Sequence, residues 1–367
     1  MASAPADRTA MAEASMHIDD LLRRVVELGG SDLHLTTGAE PVARIHGELK
    51  RMTEYPRMDN ASIRRLLSAI LTPRHRERFE TDQELDLSYG VHGIGRFRVN
   101  VFFQRGSVGS VMRSVPSEIK TLQDLGHPPA VASLAEFPRG LVLVTGPTGS
   151  GKSTTLASLI DIINSTRSVH IMTVEDPIEF LHRHKVSIVN QREVGEDTHS
   201  FPAALKHVLR QDPDVILVGE LRDLETISTA ITAAETGHLV FATIHTQDAP
   251  QAVDRIVDVF PAHQQAQIRT QLASSLMAVV TQQLVPRASR TGRLVSTEIL
   301  MVTSAVRNLI REGKTHQIIS AMQAGGQYGM QTMDQSLAHL VRTGQITLEV
   351  AIERCANPED LRRLLSR

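Results

Sequence analysis

The sequence predicts an α/β protein in which a mostly parallel sheet, covered by helices on both faces, follows a smaller α+β unit. Three observations predict it. From Gly140 onward, short apolar runs alternate with helix-compatible segments, the pattern of parallel strands joined by crossover helices. The first of these runs, Leu141–Val144, enters a glycine-rich turn and then a helical stretch, LVLVTGPTGSGKSTT. Before residue 116, apolar and polar residues alternate in short runs separated by glycine turns, as antiparallel strands do.

Residues 1–15, MASAPADRTAMAEAS, are small and polar without apolar period and read as a disordered lead. Ile18, Leu21, Leu22, Val25, Val26 and Leu28 recur at helical spacing, and Gly29-Gly30 ends that helix. Leu33, Leu35, Val42, Ile45 and Leu49 belong to short strands broken by Gly38, Pro41 and Gly47. Helices are expected over 61–70 and near 73–80, then strands over 84–89, 95–103 and 108–115. These complete a first domain at 16–115. Residues 116–125 read as a linker, and 126–367 as the second domain. Its strands are LVLV, HIMTVED, VSIVNQ, DVILVGE and HLVFATIH. Its helices cover 152–164, 201–210 and 224–236. Further helices are expected at 251–260 and 263–283, a hairpin over 284–302, and short helices from about 303.

Bulk properties narrow the classes of function. The chain has 367 residues, enough for two or three domains, and a net charge of −2. With no tryptophan and only 3% aromatics it offers poor material for base stacking, against a nucleic-acid translocase. The single cysteine, Cys355, permits no intramolecular disulfide and no cysteine-cluster zinc site. No run approaches the roughly 20 apolar residues of a membrane-spanning helix. A soluble cytoplasmic protein is expected, with membrane association only through partners.

The chemistry is concentrated at strand ends, where ligands sit in parallel sheets. Gly146-x4-Gly151-Lys152-Ser153 is the spacing of a phosphate-binding loop. Gly146, Gly149 and Gly151 let backbone N–H groups turn inward. Pro147, Thr148, Ser150 and Thr154 complete the loop, and the helix N-terminus adds its positive dipole end. Lys152 supplies a point charge for ATP phosphates, and the Ser153 hydroxyl is a hard ligand for Mg²⁺. DVILVGE is expected to be the strand beside the loop, ending in a metal-holding acid. Its usual aspartate position is Gly219, so Glu220 takes that role. EDPIEF offers Glu175, Asp176 and Glu179 as the base that orients water, and spacing alone does not choose among them. In TGHLVFATIHT, His238 and His245 stand seven residues apart, on opposite faces of an ideal strand. In the first domain Arg96 and Arg98 share one strand face, with Arg113 on an adjacent strand. Such a row is either a solvated face or a set of cations reaching a neighbouring subunit's triphosphate.

Together these motifs resemble the secretion and pilus motor ATPases, over nearly the whole chain from Met16. The stretches that carry the resemblance are SDLHLTTGAEPVARIHGEL, GPTGSGKSTTLASLID, VEDPIEF, ALKHVLRQDPDVILVGELRD, TGHLVFATIHTQDA, AVRNLIREGKTHQI and QYGMQTMDQSL. AVRNLIRE is the most specific and resembles the pilus-retraction branch. The resemblance implies a PAS-like first domain, a RecA-like P-loop ATPase domain and a C-terminal helical region. It also implies a homohexamer with ATP and Mg²⁺ between subunits. An inner-membrane pilus platform protein would be its partner, at the inner face of the cytoplasmic membrane, and the pilin filament an indirect one. It makes Lys152 and Ser153 the Walker A pair, Glu220 the Walker B acid and Glu179 the catalytic glutamate. His238 and His245 become the two histidines of a His box. Arg96, Arg98 and Arg113 become arginines brought to the nucleotide across a domain or subunit boundary. An accessory retraction ATPase is the neighbouring reading.

Overall fold

The computed structural model describes residues 16–115 and 118–366, which fall into two compact units dividing after Ser117. The expected lead at 1–15 lies outside them. The N-terminal unit begins with α1 (Ile18–Glu27), capped by the His17 side chain and a reciprocal Asp20 bond, with Ile18, Leu21, Leu22 and Val25 on its buried face. Strands β1 (Gly30–Leu35), β2 (Val42–Ile45) and β3 (Glu48–Arg51) follow. Then come helices α2 (Asn60–Ser68) and α3 (Pro73–Asp82) and strands β4 (Glu84–Val91), β5 (Gly95–Gln104) and β6 (Ser107–Val115). The six strands form one antiparallel sheet in the order β3-β2-β1-β6-β5-β4. Neighbouring side chains in register share a face. Leu33, Met112, Val99 and Leu87 form one row and pack into a core with Ile63, Leu66 and Phe79. The adjacent row, Arg44, Asp32, Arg113, Arg98 and Ser88, lies on the other face. Without its β3 edge ribbon this is a PAS-like arrangement.

The C-terminal unit carries a seven-stranded sheet. Its strands are β7 (Gly140–Thr145), β8 (His170–Glu175), β9 (Ile188–Glu193), β10 (Val215–Val218), β11 (Leu239–Ile244), β12 (Leu276–Pro286) and β13 (Arg293–Met301). The order is β13-β12-β7-β11-β10-β8-β9, parallel except for β13. Every residue of β7, β10 and β11 is buried, which is why these strands read as unbroken apolar runs. One face is covered by a short helix, α4 (Pro129–Ala132), and by α5 (Lys152–Thr166), through Val131, Leu156, Leu159, Ile160 and Ile163. Leu122, from the stretch read as a linker, joins this core. The opposite face is covered by α6 (Phe201–Val208), α7 (Leu224–Glu235), α8 (Ala249–Asp258) and α9 (Ala262–Ser275). The result is a RecA-like layer structure. Five α-helices follow Val302 among the described residues: α10 (Ser304–Arg311), α11 (Ile318–Ala324), α12 (Met333–Arg342), α13 (Leu348–Arg354) and α14 (Pro358–Leu365).

Two expectations are corrected. The strand beside β7 is β11, not DVILVGE, whose β10 lies one strand further out. The helix expected over 263–283 ends at Ser275, and Leu276 starts β12, which runs parallel to β7. The run LMAVV is apolar throughout, and periodicity cannot separate a buried strand from a buried helix. Burial against β7 decides it: Leu276, Ala278, Val279 and Val280 are fully buried. Burying each large side chain of this kind is worth about 1.5–3 kcal/mol.

Candidate functional site

A cavity of about 640 Å³ opens at the carboxyl ends of the central strands in the C-terminal unit. Lys152, Ser153, Glu175, Glu179, Glu220 and His245 all line it. They arrive from the start of α5, the end of β8 and the loop after it, and the turns after β10 and β11. The loop after β7 runs through Gly146, Gly149 and Gly151 at φ of 134°, 77° and 90°, backbone that other residues rarely adopt. At Gly146 a side chain would also collide with the Gln282 carbonyl of β12. Gln282 is buried and donates from Nε2 to the Ser150 carbonyl at 2.7 Å, so β12 braces the loop from behind. Gly151 then caps α5 without a side-chain hydrogen bond. The first-turn N–H groups of α5 can therefore take an anion. Thr148, Gly149, Gly151, Ser153 and Thr154 face the cavity. Gly146 and Pro147 turn their carbonyls toward Lys152 Nζ, at 2.9 and 3.1 Å.

Burial pulls the Lys152 pKa below its ordinary value, opposed by the charges of Glu220 and Glu179. The lysine also lies 3.4 Å from His245 Nδ1. An ammonium only donates, so this contact makes Nδ1 the acceptor and leaves the ring proton on Nε2. That nitrogen is 3.4 Å from Glu220 Oε1. Glu220 also pairs with Arg222, Oε2 to Nη2 at 2.6 Å. Burial raises the Glu220 pKa, but the Arg222 hydrogen bond and the nearby cations outweigh it, so the net shift is downward. The acid stands at 220, one place past Gly219, where a side chain would be tight: a Cβ there would lie 3.2 Å from Glu175 Cα.

The three acids after β8 differ. Glu175 accepts from Thr173 Oγ1 at 2.6 Å, from Gln191 Nε2 at 3.0 Å and from the Glu179 backbone N–H. Burial pushes its pKa up. Asp176 and Glu179 line the cavity beside it. His238 lies elsewhere. It precedes β11, where its Nδ1 is 2.9 Å from the Ala233 carbonyl and its own carbonyl accepts from Gly140 at the start of β7. The phosphate loop leaves the other end of that strand. Arg96, Arg98 and Arg113 belong to the N-terminal unit. Arg98 and Arg113 are direct cross-strand partners, and Arg113 Nε donates to buried Asp32 at 2.7 Å.

Among the described residues no group of three or more His, Cys, Asp and Glu side chains is placed to hold a metal ion. Ser153 and Glu220 do line one cavity with hard oxygen donors. That pair fits Mg²⁺, which takes one or two protein oxygens and leaves its remaining positions to phosphate and water. Motif spacing missed His127, whose buried ring meets Thr155 Oγ1 on α5 at 2.9 Å. Burial lowers its pKa to about 4. Spacing also missed Gln282, Gln191 and Arg222. Gln282 and Gln191 belong to no local pattern, because each reaches the site from another strand, whereas Arg222 stands two residues after Glu220 in the same turn.

A glycine cradle at a helix N-terminus, its lysine, and acids from neighbouring strand ends define a P-loop nucleotide hydrolase of the RecA-like class. The sequence profile of the Type II/IV secretion system protein family matches residues 8–353, and the chain belongs to that family. It is 48% identical over 345 residues to a protein of Pseudomonas aeruginosa named "Type IV pilus retractation ATPase PilT", covering 94% of this chain and 100% of the other. It is 42% identical to "Type IV pilus ATPase PilU" of the same organism, over 95% of this chain and 91% of the other. A crystal structure titled "Crystal Structure of the Pilus Retraction Motor PilT and Bound ADP" superposes with a TM-score of 0.89 at 50% identity, over 95% of this chain and 100% of that one. No helix among the described residues is long and apolar enough to cross a membrane.

Proposed function

We propose that this chain is a Mg²⁺-dependent ATPase that works as a homohexameric motor and powers type IV pilus retraction. The observation that carries the reading is the cavity into which Lys152, Glu179, Glu220 and His245 converge at the phosphate loop. The full-length likeness to a named retraction ATPase supports the choice of motor. Lys152 and the first-turn amides of α5 bind the β- and γ-phosphates of ATP. Glu179 orients water for in-line attack and takes its proton. His245 holds Lys152 and Glu220 in register. Ser153 and Glu220 hold Mg²⁺, which when bound neutralises charge on the phosphate oxygens. Arg96, Arg98 and Arg113 add positive charge at the nucleotide, from the N-terminal domain of the same or a neighbouring chain. His238 acts at a distance from the phosphate loop of its own chain. ATP shifts the population of domain arrangements around the ring, and the stroke reaches the pilin filament through an inner-membrane platform protein.

The test has two parts. The purified chain should hydrolyse ATP, and Glu179→Gln should abolish turnover while still binding nucleotide. Deletion of the gene in its source bacterium, with labelled pili imaged, should leave pili that extend and never retract. Absent pili would mean assembly and overturn the retraction reading.

A further inference from the structure

Glu179 lies in residues 176–187, a twelve-residue connection between β8 and β9 without regular structure. A loop of that length has no intrinsic reason to hold one carboxylate in place. Something must fix it, and β9 supplies the means. Gln191 of β9 stands directly opposite Thr173 of β8, so the two side chains share a face. Its Nε2 donates to Glu175 Oε1 at 3.0 Å and to the Phe180 carbonyl at 2.8 Å. Its Oε1 accepts from the His182 N–H at 2.8 Å. One amide thus uses both donors and its acceptor on three residues that bracket Glu179. Two residues further along the same face, Glu193 Oε2 accepts from the Ile178 N–H at 3.2 Å. Glu175 completes the frame by accepting the backbone N–H of Glu179 itself.

We infer that Gln191 is a positioning residue for hydrolysis: its three hydrogen bonds hold the acidic segment so that the Glu179 carboxylate faces the phosphate loop. The inference rests on the reading of Glu179 as the base. Misplacing a reacting group by about 1 Å can cost up to ~100-fold in rate. Gln191 touches no nucleotide in this scheme, so its loss should slow turnover and leave nucleotide affinity alone.

The experiment compares Gln191→Met and Gln191→Glu with the wild-type chain and Glu179→Gln, reading kcat, ADP affinity and melting temperature. Methionine keeps the size and removes all three bonds. Glutamate keeps the size and the acceptor for His182 and loses both donations, so it stands in if methionine fails to fold. Both variants should lower kcat by roughly ten- to a hundred-fold, with ADP affinity within about two-fold of wild type. Wild-type kcat in either folded variant would overturn the inference. So would ADP affinity falling in step with kcat, since that marks a general loss of structure. Normal turnover in Glu179→Gln would sink the base itself. An inactive Glu179→Gln beside a fully active Gln191→Met would sink only the positioning role.

Discussion

The phosphate loop and the acidic segment line the same cavity, yet they are fixed in different ways. The loop is fixed mainly by its own backbone. Gly146, Gly149 and Gly151 take up left-handed φ values, and α5 begins immediately afterwards. The acidic segment has no such internal geometry. It is held from outside, by Gln191 and Glu193 of the adjoining strand and by the inward-turned carboxyl of Glu175. The first construction is rigid and suits binding, where many amides must be preset for an anion. The second is a set of side-chain hydrogen bonds that can be remade, and it presents the group proposed to do chemistry.

If that division is right, damage to the two parts should separate affinity from turnover. The largest effect is expected for Glu179→Gln, with kcat lower by about 10²–10⁴ and nucleotide binding retained. Lys152→Ala should instead weaken binding itself, measured by titration with a fluorescent ADP. Equal losses of affinity in both variants would erase the distinction. Gly146→Ala comes next, because it combines a disallowed φ with collision against β12. Backbone strain of this kind costs about 1–3 kcal/mol, so the melting temperature and nucleotide affinity should fall together.

A pH scan sharpens the loop side. His127 is held neutral by burial, at about 4 against an ordinary 6.5. Its folded pKa is the lower one, so the stability it contributes is present above pH 6.5 and is lost as pH falls towards 4. Between pH 7 and 5 that loss is roughly 2 kcal/mol. His127→Gln should flatten this part of a melting-temperature profile; an unchanged slope would mean the ring titrates normally. His182, also lowered to about 4, contributes with the same sign and remains in that variant. The smallest effect is expected for Gln282→Met, which strands the buried Ser150 carbonyl. That should cost about 1 kcal/mol of stability and weaken ADP binding modestly, with kcat at saturating ATP unchanged.

What could be read in the sequence follows from the same contrast. The phosphate loop was legible because its glycines encode backbone geometry locally. The parallel core was legible because buried strands leave unbroken apolar runs. The order of strands was not, so DVILVGE was expected beside β7 when β11 occupies that place. β12 was hidden in an apolar stretch that a helix would equally explain. Spacing left Glu175, Asp176 and Glu179 equivalent, and only cross-strand hydrogen bonds distinguish the inward-turned Glu175 from its neighbours. AVRNLIRE marks the family well, yet its Arg307 is engaged inside the fold. Its guanidinium donates to the Ala273 and Ser274 carbonyls, both at 2.9 Å, and so closes the end of α9. A diagnostic stretch can be diagnostic of architecture first.

The two histidines flanking β11 set a limit of counting. Seven residue steps of extended chain separate them, about 23 Å. A triphosphate is too short to touch both rings. If His238 and His245 each touch the phosphates of bound nucleotide, they touch those of two different molecules, and every copy of this chain would then take part in two sites.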